Sequence, residues 1–98
     1  MAEKIEQRWL IAGHVQGIGC RAWLVRQARA QRLDGWVRNL PDGRVEAVVV
    51  GDAAPVARLY EKCLQGPPHG HVEKIEVKTM PRGSVASGTG FSQVSDGR

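Results

Sequence analysis

The 98-residue chain is poor in cysteine, with only Cys20 and Cys63. That count excludes a secreted disulfide scaffold, which needs a dense set of bridges. Long apolar runs are missing too: none approaches the ~20 residues of a membrane helix. The start, Met1-Ala2-Glu3-Lys4-Ile5-Glu6-Gln7-Arg8, carries acids and no apolar segment, so it is not read as a signal peptide. A reducing compartment follows as the expectation, with both cysteines as free thiols; one Cys20–Cys63 bridge stays open on sequence alone. Aromatic residues make up 5%, and the three tryptophans stand apart. The clustered aromatics of an RNA-stacking motif are absent, and core packing is the expected role of Trp9, Trp23 and Trp36. There is no internal repeat and no low-complexity block. A chain this short supports one core of about two layers, not two domains.

Charge is what the chain does have. Fourteen Lys plus Arg face ten Asp plus Glu, a net +4. Most of the cations are arginine, which suits two-pronged contacts to phosphate or carboxylate. The balance fits an anionic partner, and it equally fits ordinary solubility.

Glycine and proline punctuate the rest. Lys4–Ala12, with Ile5, Trp9, Leu10 and Ile11, reads as a strand. Gly13–Gly19 holds three glycines in seven residues and reads as a loop. Arg21–Leu33 is rich in helix formers and predicts a helix that Asp34-Gly35 ends. Trp36–Asn39 is a short strand, Pro41-Asp42-Gly43 a turn, and Arg44–Val50 a strand whose start, at Glu46, has one wet face. Asp52 is placed to cap a second helix running through Gln65. On that helix Val56, Leu59, Tyr60, Cys63 and Leu64 share one side. Val72–Thr79 is a strand with Ile75 and Val77 on one face. Met80–Gly90 is a loop, Phe91–Val94 a candidate short last strand, and Ser95–Arg98 is expected to fray. The order β-α-β-β-α-β predicts an α+β, ferredoxin-like split βαβ sandwich: one antiparallel sheet, two helices on one face, and a candidate fifth strand. Residues 1–98 form one domain in this reading, with an ordered core of about 5–94. That architecture hosts many activities and decides none.

The segment Gly13-His14-Val15-Gln16-Gly17-Ile18-Gly19-Cys20-Arg21 lies between a strand and a helix start. Free backbone N–H groups and the positive end of the helix dipole meet there, and glycines let a ligand come close. Arg21 adds a fork of donors where the dipole alone would disfavour a cation. The arrangement reads as a cradle for a phosphate-sized anion; a plain glycine-rich turn is the alternative. It is not a P-loop, because Cys20-Arg21 stands where Lys-Ser/Thr would. Cys20 touches Arg21 in sequence, so no phosphate-wrapping cysteine loop can form between them, although the helix start could lower its pKa. Asn39 ends a strand beside a turn. Its carboxamide suits holding a water molecule, or else it closes the turn. His69-Gly70-His71 lacks the spacing of a zinc module.

Gly-x-Val-Gln-Gly-x-Gly-x-Arg (Gly13–Arg21) followed by Gly-Trp-Val-x-Asn-x-x-Asp-Gly-x-Val-Glu (Gly35–Glu46) closely resembles the acylphosphatase family. The likeness continues through Gly51, Cys63-Leu64-Gln65-Gly66-Pro67-Pro68 and Gly90-Phe91, from about Gln7 to Val94. It implies hydrolysis of the carboxyl–phosphate bond of acyl phosphates, with no metal and no cofactor. It implies that Arg21 and the loop residues Gln16, Gly17, Ile18, Gly19 and Cys20 hold the phosphoryl group, and that Asn39 orients the attacking water. A phosphate or sulfate ion would fit the same loop. One departure stands out: the family's usual aromatic before the arginine is Cys20 here, and Trp23 is a candidate to fill its space. The expected partner is a small acyl phosphate, with no nucleic acid and no membrane. A monomer in the cytoplasm is expected, and a domain of a larger enzyme is not. The competing class is a basic module that binds a phosphorylated ligand without turning it over.

Overall fold

A computed structural model describes residues 4–81, 83, 85 and 88–97. The chain runs β1 (Lys4–His14), α1 (Cys20–Ala30), β2 (Asp34–Asn39), β3 (Val45–Asp52), α2 (Ala53–Gln65), β4 (His71–Met80) and β5 (Phe91–Gln93). The strands form one sheet in the order β4-β1-β3-β2-β5. β1 is antiparallel to both β3 and β4, and β2 is antiparallel to β3. This is the ferredoxin-like plan. The short fifth strand is present, and it lies parallel to β2, so the sheet is mixed rather than wholly antiparallel.

Alternation sets the two faces of the sheet. Trp9, Ile11, Val37, Val45, Ala47 and Val49 are buried on one face with Leu24, Ala28, Val56 and Leu59 of the helices. Trp9 lies opposite Ala47, and Ala47 opposite Val37, so a small residue sits beside the large ring. Trp9 also meets Tyr60 of α2 edge-on, with centroids 5.7 Å apart. On the other face the expected wet start of β3 is wrong. Glu46 is buried, because Arg8 and Arg38 on the flanking strands close over it with paired hydrogen bonds.

The helix ends also depart from expectation. α1 stops at Ala30, three residues early, although no glycine follows. Arg32 takes the left-handed conformation (φ 57°), Leu33 N–H donates to Ala28 O at 3.0 Å, and Arg32 N–H to Arg29 O at 3.0 Å. These two bonds make a Schellman closure, with buried Leu33 as its apolar anchor. Asp52 is the N-cap of α2, but its side chain makes no capping hydrogen bond.

Two side chains fasten the last strand. The Asp34 carboxylate accepts from Gly88 N–H and Gly90 N–H, both at 2.8 Å. Arg29 Nε donates to Phe91 O at 2.9 Å, joining α1 to β5. Beyond β5, Ser95–Gly97 does not fray. Val94 N–H donates to Val37 O at 3.0 Å and Gly97 N–H to Asn39 O at 2.9 Å, so the segment follows β2 to its end. Residues 1–3, 82, 84, 86, 87 and 98 lie outside the described residues, so the expected loop over 80–90 is described only in part. No helix among the described residues is long and apolar enough to cross a membrane.

Candidate functional site

The site forms where β1 hands over to α1. Val15 is buried and anchors the start of the loop. Gly17 (φ 76°) and Gly19 (φ 81°) both take left-handed backbone, and a Cβ on either would meet nothing within 4 Å. Glycine is therefore needed for the turn, and the space above it stays open. Helical bonding begins with Trp23 N–H to Gly19 O at 2.9 Å. The N–H groups before it belong to the exposed helix start. The N-cap is Gly19, with no side-chain cap and no acid in the first turn of α1. The positive end of α1 thus has no countercharge from its own helix.

A pocket of about 120 Å³ sits over this start, lined by Val15, Gly17, Gly19, Cys20, Arg21, Ala22, Asn39 and Gln93. The two residues picked from separate motifs, Arg21 and Asn39, therefore meet in one concavity. Asn39 is the last residue of β2, paired with Val45. Its side-chain Oδ1 is buried and has no hydrogen-bond partner among the described residues. A buried acceptor without a partner is the kind of group that an ordered water or a ligand satisfies.

The other loop residues divide. Gln16 does not point its carboxamide at the pocket. Its Nε2 donates to Leu40 O at 2.8 Å and Arg44 O at 3.0 Å, tying the loop to the β2–β3 turn. That turn is itself closed by Asp42, which accepts from Arg44 N–H at 3.0 Å. Ile18 is partly buried against the core, so it offers backbone and no side chain. Cys20 lines the pocket but is 4% exposed. Burial pushes its thiol up to about 11, with Arg21 only partly opposing. The lowered pKa that a helix start can give is thus overridden, and the thiol stays protonated at neutral pH. Trp23 is partly buried against the core nearby. His14 is exposed and not part of the pocket. Among the described residues no group of three His, Cys, Asp or Glu is placed to hold a metal ion.

Sequence reasoning missed Gln93 and Asp96. Gln93 lines the pocket from β5. Asp96 Oδ1 lies 2.8 Å from Arg21 Nη1. Neither belongs to a motif, and a single acid in a polar tail gives no signal. A second depression, about 280 Å³, shares Asn39 and is lined by Gln16, Leu40, Pro41, Asp96 and Gly97. A third concavity, about 270 Å³, is lined mainly by apolar residues of β1, α2 and β4 and holds no cation.

A family model described as acylphosphatase matches residues 7–92. A protein of Rhizorhabdus wittichii named acylphosphatase is 45% identical over 86 residues, which is 88% of this chain and 86% of that one. An acylphosphatase of Methylococcus capsulatus is 51% identical over 71 residues, 72% of this chain and 77% of that one. The crystal structure of acylphosphatase from Bacillus subtilis superposes with a TM-score of 0.85 at 31% identity, covering 92% of this chain and 98% of that chain.

Proposed function

The chain belongs to the acylphosphatase family, hydrolases of acyl phosphates, and from that premise we propose that Arg21 and Asn39 carry out the hydrolysis here. The observation that carries the assignment is the meeting of Arg21, the two left-handed glycines and Asn39, whose buried oxygen has no partner among the described residues, in one pocket.

The chemistry needs little more. An acyl phosphate already has a good leaving group, so charge neutralisation and in-line placement dominate the barrier. The Arg21 fork and the N–H groups from Gln16 to Arg21 surround the phosphoryl oxygens. The Asn39 carboxamide hydrogen-bonds the attacking water and fixes its direction. The water oxygen bonds to phosphorus, the bond from phosphorus to the acyl oxygen breaks, and the carboxylate leaves. The water's proton ends on the phosphate, so no separate base is required. Cys20, protonated and buried, takes no part beyond its backbone. Gln16 acts at one remove by holding the loop against the β2–β3 turn. The domain works as a cytoplasmic monomer, its loop also accepts free phosphate or sulfate, and residues 1–98 act as one unit.

The test is phosphate release from benzoyl phosphate with EDTA present. Wild type turns over without metal. Asn39→Ala loses about 10²–10³ in rate, the usual cost of one positioned donor or acceptor. Arg21→Lys loses binding and rate together, because a point charge cannot copy the fork. Normal turnover by either folded variant removes that residue from the site, and turnover abolished by EDTA overturns the metal-free mechanism.

A further inference from the structure

The C-terminal segment ends on the site just described. After β5 it follows β2, held by Val94 N–H on Val37 O and Gly97 N–H on Asn39 O. Between those two bonds Asp96 turns its carboxylate to Arg21 from the neighbouring depression that shares Asn39. Its Oδ1 accepts from Arg21 Nη1 at 2.8 Å and from Asn39 N–H at 3.2 Å. A single oxygen thus takes a donor from each of the two residues assigned to hydrolysis. The Asp96 side chain is 53% exposed, so charge and not packing keeps it there. It also supplies the negative group that the first turn of α1 lacks.

We infer that Asp96 is a built-in competitor for the phosphoryl group: the tail is a strap that engages the Arg21 guanidinium until a phosphate dianion displaces it. This inference rests on the assignment of Arg21 and Asn39 to the site. A carboxylate and a phosphoryl dianion repel one another when they crowd one guanidinium. The dianion wins because it also takes the loop N–H groups, which Asp96 does not reach in the structure. A weak monoanion faces the same competitor without that gain. The strap therefore raises the affinity an anion must have to enter, which sharpens selection for phosphoryl groups.

An exposed ion pair of this kind holds the strap shut by only a small factor, so removing it frees the site by about two- to six-fold. The experiment compares the full chain with Asp96→Asn and Asp96→Ala. Inorganic phosphate affinity is measured by calorimetry, and KM and kcat are measured with benzoyl phosphate. Both variants are expected to bind phosphate more tightly by that factor, with KM lowered alike, kcat retained and the circular dichroism spectrum unchanged. Phosphate affinity that is unchanged or weaker in both variants overturns the strap. Lower kcat together with weaker phosphate binding identifies Asp96 as an orienter of Arg21 and overturns it too. Failure of the underlying assignment looks different: wild type would not hydrolyse benzoyl phosphate, while the phosphate comparison would still decide the role of Asp96.

Discussion

Asn39 and Cys20 show how burial assigns opposite roles to two side chains of one pocket. The Asn39 oxygen is dry and unsatisfied, a condition that costs about 1–3 kcal/mol. Removing it should therefore separate stability from rate. Asn39→Ala is expected to melt at or above the wild-type temperature while turnover collapses, and paired thermal scans and assays check this. A melting temperature several degrees lower would make Asn39 a structural residue. Cys20 has its thiol pushed up to about 11. The unfolded thiol ionises near pH 8.5 while the folded one keeps its proton. Its contribution to stability is thus full below that value and is lost as pH rises through about 11. Iodoacetamide at pH 8 should leave the folded protein unmodified and active, and should alkylate Cys20 only in denaturant, as read by mass spectrometry. Fast labelling of the folded enzyme would contradict the buried placement.

At the scale of elements, the loop into α1 rests on backbone that other residues adopt reluctantly. Gly19 caps the helix at φ 81° with open space around it, so Gly19→Ala meets strain and no clash. A cost of about 1–2 kcal/mol is expected in urea unfolding, together with weaker phosphate binding as the loop shifts. The elements themselves were legible in the sequence. Apolar runs between glycines and prolines give all four long strands and both helices in order, and two motifs give the pocket. What was not legible has a physical cause in each case. The end of α1 is hidden because Arg32, not glycine, takes the left-handed turn. The direction of β5 is hidden because three residues carry no period, and its place is set by Asp34 and Arg29 from elsewhere. Gln16 was read as one of the loop residues that hold the phosphoryl group; the tie its side chain makes to carbonyls 24 and 28 residues away leaves no signal in the sequence.

Over the whole molecule, the sheet face away from the helices is held by a charge cluster. Glu46 has 3% of its side chain exposed, between Arg8 and Arg38. Burial alone would raise its pKa, but hydrogen bonds from both guanidinium groups outweigh this and hold the carboxyl below the usual range. A depressed pKa gives stability that is present above the unfolded value, about 4.3, and is lost as pH falls through the folded one. Glu46→Gln should cost about 1.5–3 kcal/mol near neutral pH, the worth of hydrogen bonds to a charged group. It should also flatten the loss of melting temperature between neutral pH and pH 3. Equal acid slopes for wild type and variant would remove Glu46 from that role.

The strand order has a consequence in time. β1 leaves the ribosome first, yet its two neighbours in the sheet come from residues 45–52 and 71–80. Its pairing with β4 waits until most of the chain exists, and β2 waits longer still for β5. Each of these contacts closes a long loop before it repays the lost entropy. The domain should therefore complete itself only once β5 is free to pair, and refold more slowly than a helical domain of equal length. In that interval β1, with Trp9, Leu10 and Ile11 uncovered, is the stretch a chaperone or a neighbouring nascent chain would meet first.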